Sequence, residues 1–230
     1  MTSSTAVDAL PVLPPKPRFR GRLHQASFVF AMAGGATMIT ATATTSHSAL
    51  AIVSVAIYAS TVLGLFGISA LYHRWPWRTD RARARMRRLD HSMIFIFIAG
   101  TYTPVAAVAL APPARTWVLV VVWAGALCGV ALQLAWPGAP RWVGVPVYLA
   151  LGWVAVFVLP DLLHHAGVAA LVLLLAGGLL YTVGAVCYAI KWPDPWPRTF
   201  GFHEFFHAAT VLAALCHYVG IWFVLVNAPH

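Results

Sequence analysis

The sequence predicts an all-α membrane protein, a seven-transmembrane helix bundle with a cytoplasmic N-terminus and a C-terminus outside. Three observations predict it. Of the 230 residues, 60% are hydrophobic and only 9% charged, whereas a soluble domain carries roughly 25% charged residues. Several apolar runs reach the ~20 residues that a helix needs to cross a bilayer. The basic residues gather between those runs, and they do so on alternate sides.

Fifteen Lys+Arg against six Asp+Glu give a formal charge of +9. A basic balance can signal nucleic acid, but here the charges sit between spans, where membrane topology explains them. Nucleic acid is therefore not expected as a partner, and no protein partner can be inferred. Cys128, Cys187 and Cys216 fall inside apolar runs at unrelated spacings, which reads as buried small side chains rather than a disulfide framework.

Residues 1–24 hold Pro11, Pro14, Pro15 and Pro17 with Lys16, Arg18, Arg20 and Arg22. They predict a disordered basic cytoplasmic tail, without the short apolar core and small-residue cleavage site of a removable signal peptide. The transmembrane domain then covers 25–226, with spans near 25–46, 48–73, 90–110, 116–136, 143–160, 168–190 and 203–226. Thr45-Ser46-His47-Ser48 is a weak break between the first two. When inter-span segments are assigned alternately, fourteen of the fifteen basic residues fall on the side of the tail and only Arg115 on the other. The positive-inside rule makes that side cytoplasmic, and the membrane is expected to be the plasma (inner) membrane. Merging the first two spans would destroy this asymmetry, so the charges argue for seven independently of hydropathy. No repeat of fixed period is visible, which leaves an inverted-repeat transporter without support.

The chemistry gathers at the cytoplasmic ends. Phe202-His203-Glu204-Phe205-Phe206-His207 opens the last span, and its two histidines stand four apart on one helical face, within reach of one metal ion. His73 closes the second span and Asp90 and His91 open the third, all at the same depth. Three neutral imidazoles with one open position are the ligand set of a catalytic zinc site, so His73, His203 and His207 are the expected ligands of Zn2+. Ser69, one turn deeper than His73, is placed to hydrogen-bond a water or a substrate oxygen. Asp90 is suited to act as general base or to orient a histidine. Glu204 is a rival base that can instead face the interface, since it leaves the helix about 100° from His203. His217, roughly 15 Å beyond His207, is too far to share the ion and reads as a buried polar contact. His91 reads equally as a partner of the site or an interface residue. His24, His47, His164, His165 and His230 read as loop or tail residues.

The Arg74–Arg88 stretch reads as a loop that fixes topology, with recognition of anionic head groups as the alternative. Trp75, Trp77, Trp192 and Trp196 lie at the same interface. Thr101-Tyr102-Thr103-Pro104 is expected to bend the third span and free backbone carbonyls.

Three blocks in this order resemble the bacterial hemolysin III family: Ser69-Ala70-Leu71-Tyr72-His73; Leu89-Asp90-His91-Ser92 leading to Ala99-Gly100-Thr101-Tyr102-Thr103-Pro104; and Phe200-Gly201-Phe202-His203-Glu204-Phe205-Phe206-His207. That family lies within the progestin and adipoQ receptor group and is similar to alkaline ceramidases. The resemblance implies seven helices with the N-terminus inside and zinc on His73, His203 and His207. It also places Ser69 and Asp90 beside the metal. It further implies hydrolysis of a membrane-lipid amide or ester, with Asp90 and Ser69 as the catalytic residues. The family name implies the other class of function, a non-enzymatic membrane-perturbing or sensor-like protein whose zinc is structural. Glu204 departs from the receptors and follows the bacterial branch. An intramembrane zinc peptidase is the third reading of the two-histidine string. The upstream position of His73 and the lack of an aspartate after His207 count against it.

Overall fold

The computed structural model describes residues 17–46, 48–136 and 138–227. Its helices are α1 (Arg22–Thr45), α2 (Ala49–Arg74), α3 (Asp80–Ala109), α4 (Pro112–Ala135), α5 (Arg141–Gly152), α6 (Leu159–Ile190) and α7 (Phe202–Asn227), with a 3₁₀ segment over Trp153–Val158. Among the described residues there is no strand, only an isolated bridge between Trp196 and Phe200. Six helical stretches are long and apolar enough to cross a membrane, with Arg141–Ile190 as one of them. The molecule is an all-α membrane protein.

Hydroxyls and glycines set the breaks. The Ser48 side chain accepts the Ala51 N–H at 3.3 Å and starts α2, so the weak Thr-Ser-His-Ser signal does separate two helices. His47 itself lies outside the described residues. The Thr79 side chain accepts the Ala82 N–H at 3.2 Å, with Asp80 in the first turn, a favourable helix start. The arginine stretch is therefore largely helical. Only residues 75–79 connect α2 to α3, which corrects the expected loop. Alternating Ala and Arg favour helix wherever an N-cap exists to start it.

Pro104 lies inside α3. The hydroxyls of Thr101 and Thr103 donate to the Phe97 and Ala99 carbonyls at 2.9 and 2.8 Å. The Tyr102 hydroxyl donates to the Gly152 carbonyl at 2.6 Å and accepts the Ala155 N–H at 2.7 Å. It thereby satisfies backbone groups where α5 passes into the 3₁₀ segment.

Gly167, at φ 81° and ψ 170°, interrupts α6, a backbone conformation open to glycine and strained for other residues. The chain folds back there. Trp153 Nε1 donates to Thr182 Oγ1 at 3.0 Å and Arg141 Nη1 to the Tyr188 carbonyl at 2.9 Å, pairs that a straight helix would hold tens of ångströms apart. The α6 helix packs most extensively on α7, and α2 on α1 and α3.

Residues 1–16 of the expected tail lie outside the described residues, but the remainder is structured. The Arg18 and Phe19 N–H groups donate to the Arg198 and Thr199 carbonyls at 3.1 and 3.2 Å. Gly21 turns the chain at φ 77° into α1. Residues 17–24 are thus ordered against the α6–α7 connection and the start of α1.

Candidate metal centre

The start of α7 is fixed from several sides. Glu204 Oε2 accepts the Gly201 N–H at 2.9 Å, the glutamate half of a capping box. Asp194 Oδ1 accepts the Phe202 N–H at 3.2 Å. Arg20 closes the arrangement with an ion pair to Glu204 Oε1, and Glu204 is 1% exposed. Both of its oxygens are engaged in holding the helix terminus, which leaves it no part as a free base.

This anchoring aims the next two histidine positions at α2. His203 Nε2 lies 3.2 Å from His73 Nε2. Ring centroids are separated by 4.9 Å for His73–His203, 5.0 Å for His73–His207 and 4.6 Å for His203–His207. One nitrogen from each ring falls within a set no wider than 4.8 Å. Tetrahedral zinc with Zn–N bonds of about 2.0–2.1 Å holds its ligand nitrogens about 3.4 Å apart. The donor set therefore fits a metal ion with small ring rotations.

Asp90 Oδ2 stands 4.0 Å from His73 Nε2, and Ser69 lines the same cavity beside Asp90. Five residues from α2, α3 and α7 thus meet, as their common depth suggested. His91 instead lies on the side of the cavity lined by Gln133 of α4. His217 sits mid-helix with Nε2 3.0 Å from the Leu174 carbonyl.

One residue of the site was not foreseen. His24, read as part of the tail, is 3% exposed in α1 and stacks on His207 with centroids 3.8 Å apart and planes 5° from parallel. Its signal was present: the alternation of spans puts the start of the first span at the same end of the bundle as His73 and Asp90. The site opens on a cavity of about 500 Å³ that also reaches Tyr181 and His217, within the usual range for small-ligand sites. Arg83, Arg87 and Arg141 line its other polar edge, and the Arg141 guanidinium lies 4.2 Å from the centroid of the Tyr188 ring.

Fold and site together define a polytopic helical membrane protein with a three-histidine cluster at one end of its bundle. The chain belongs to the haemolysin III-related family, whose model matches residues 14–218. It is 29% identical over 182 residues to a hemolysin-3 homolog of Bacillus subtilis (strain 168), covering 79% of this chain and 82% of that protein. It is also 29% identical over 141 residues to hemolysin-3 of Bacillus cereus, covering 61% and 64% respectively.

Proposed function

We propose that the protein is a zinc-dependent hydrolase that cleaves an amide or ester bond of a membrane lipid. The observation that carries this reading is the convergence of His73, His203 and His207 at the mouth of a large cavity, with Asp90 beside them. Zinc in such a set polarises a carbonyl and acidifies water towards neutrality. Asp90 takes the proton of the attacking water and returns it to the leaving nitrogen or oxygen. Ser69 holds the Asp90 carboxylate in place, and His24 holds the plane of the His207 ring.

The proposed topology is seven spans in the plasma membrane, N-terminus inside. The N-terminal end of α1 meets the N-terminal end of α7 through Arg20–Glu204 and His24–His207. The chain must therefore cross an even number of times between them, so Arg141–Ile190, folded back at Gly167, counts as two crossings. The charge asymmetry gives the direction. Arg83, Arg87 and Arg141 are suited to an anionic head group at the cavity's edge.

The test is hydrolysis. Purified protein is incubated with ceramide-like amides and with ester lipids, with and without a chelator, and released fatty acid is followed by mass spectrometry. Chelator-sensitive release supports the reading, and no release from any substrate class rejects it. The names of the Bacillus relatives favour a second reading, a membrane-perturbing protein with a structural metal. Leakage of dye from vesicles at full strength in the Asp90→Ala variant would favour that one.

A further inference from the structure

The cavity carries polar groups that the proposed chemistry does not use. Beyond the histidine cluster, in the middle of the bundle, it is lined by Tyr181 of α6 and His217 of α7, with ring centroids 5.4 Å apart. A backbone carbonyl can only accept, so the His217 Nε2 facing the Leu174 carbonyl carries the hydrogen. In the neutral ring Nδ1 is then an acceptor. That nitrogen is buried without a hydrogen-bond partner among the described residues, and so is the Tyr181 hydroxyl oxygen. Orphaned polar atoms at this depth cost stability. The bundle nevertheless makes room for them: at Gly177 any Cβ would collide with the His217 ring, so α6 presents a hollow in which the imidazole sits.

We propose that Tyr181 and His217 form a second binding site in the cavity, which recognises a hydroxyl group on the apolar body of an amphiphile. The donor pattern selects the group. A hydroxyl donates to His217 Nδ1 and accepts from the Tyr181 hydroxyl through a single oxygen atom. A bare alkyl chain satisfies neither, a carboxylate has no hydrogen for Nδ1, and an ammonium cannot accept from the tyrosine. His217 lies ten residues along α7 from His207, roughly 15 Å, so the recognised hydroxyl sits mid-chain when the polar end of the molecule lies at the histidine cluster. The site deepens the proposed lipid reading and rests on it for the class of ligand. A water molecule has the same hydrogen-bonding chemistry, and the test separates the two.

The experiment uses chelator-stripped full-length protein in detergent, titrated with stearic acid and with its mid-chain hydroxylated analogue. The wild type is expected to bind the hydroxylated acid about fivefold more tightly, the worth of one good hydrogen bond. Tyr181→Phe and His217→Leu each reduce that preference, the double variant brings the two acids to equal affinity, and stearic acid binding stays unchanged throughout. Tyr181→Phe, which removes only an unpartnered hydroxyl, keeps or raises the thermal midpoint of the ligand-free protein. Equal affinities in the wild type, binding of neither acid, or a preference that survives both substitutions overturns the proposal and assigns the site to water alone. Because metal is absent from this assay, its failure is distinguishable from failure of the hydrolase reading, which shows instead in zinc content and chelator-sensitive release.

Discussion

His207 and His217 stand on one helix, ten residues apart, and line one cavity, yet their surroundings differ in kind. His207 is held on every side: His24 stacks on it, His73 and His203 face it, and the turn before it is tied down by Glu204, Asp194 and Arg20. His217 has one backbone partner and a free acceptor nitrogen. The difference teaches that a histidine's role here is set by which helices meet at its depth. At one end of the bundle α1, α2, α3 and α7 converge and bring four imidazoles and the Asp90 carboxylate together. At mid-bundle the neighbours of α7 are mostly apolar, and polar atoms wait on whatever enters the cavity.

The comparison can be broken most forcefully at Asp90. Asp90→Ala should keep its zinc and lose about 10²–10⁴-fold in turnover, the usual worth of a general base. Metal analysis beside released fatty acid checks it, and unaltered turnover removes Asp90 from the chemistry. Next in size is the anchoring of the α7 terminus. Arg20→Ala strands a buried Glu204, and an isothermal denaturation series should show about 3 kcal/mol lost, the lower end for a buried pair because Arg20 is 23% exposed. Glu204→Gln in the same background should recover part of that loss, since a neutral amide needs no counter-ion. The smallest effect tests the contact of the N-terminal segment with the site. Gly21→Ala must accept φ 77° and a Cβ 2.6 Å from the His73 Cβ, and should cost about 1–2 kcal/mol from the backbone alone. It should weaken zinc retention as His73 shifts, whereas a spectator turn would lose only stability.

Much of this was legible in the sequence because a bilayer imposes simple rules. Apolar run length and arginine placement locate the helices, and co-level histidines locate the site. The i,i+4 spacing by itself puts His203 and His207 on one helical face. Other features rest on pairings between distant residues that no local pattern encodes. Proline and arginine content made residues 17–24 look like a solvated tail, but the Arg20–Glu204 pair and the Arg18 and Phe19 hydrogen bonds to the α6–α7 connection draw them into the bundle. His24 was missed for that reason alone. Glu204 was open to a catalytic reading because its string matches zinc peptidases, and the capping geometry around Gly201 gives it a different task. The helical arginine stretch turned on Thr79, a single N-cap residue outweighed by the charges that follow it.

The central claim is that three histidines from two helices hold one metal ion. It is tested most directly by mass spectrometric metal analysis of protein purified in detergent, wild type beside His207→Ala. The account predicts about one zinc per wild-type chain, with its three-imidazole ligand set, and a near-complete loss in the variant. A well-folded wild type that takes up no zinc even when it is supplied in excess would contradict it.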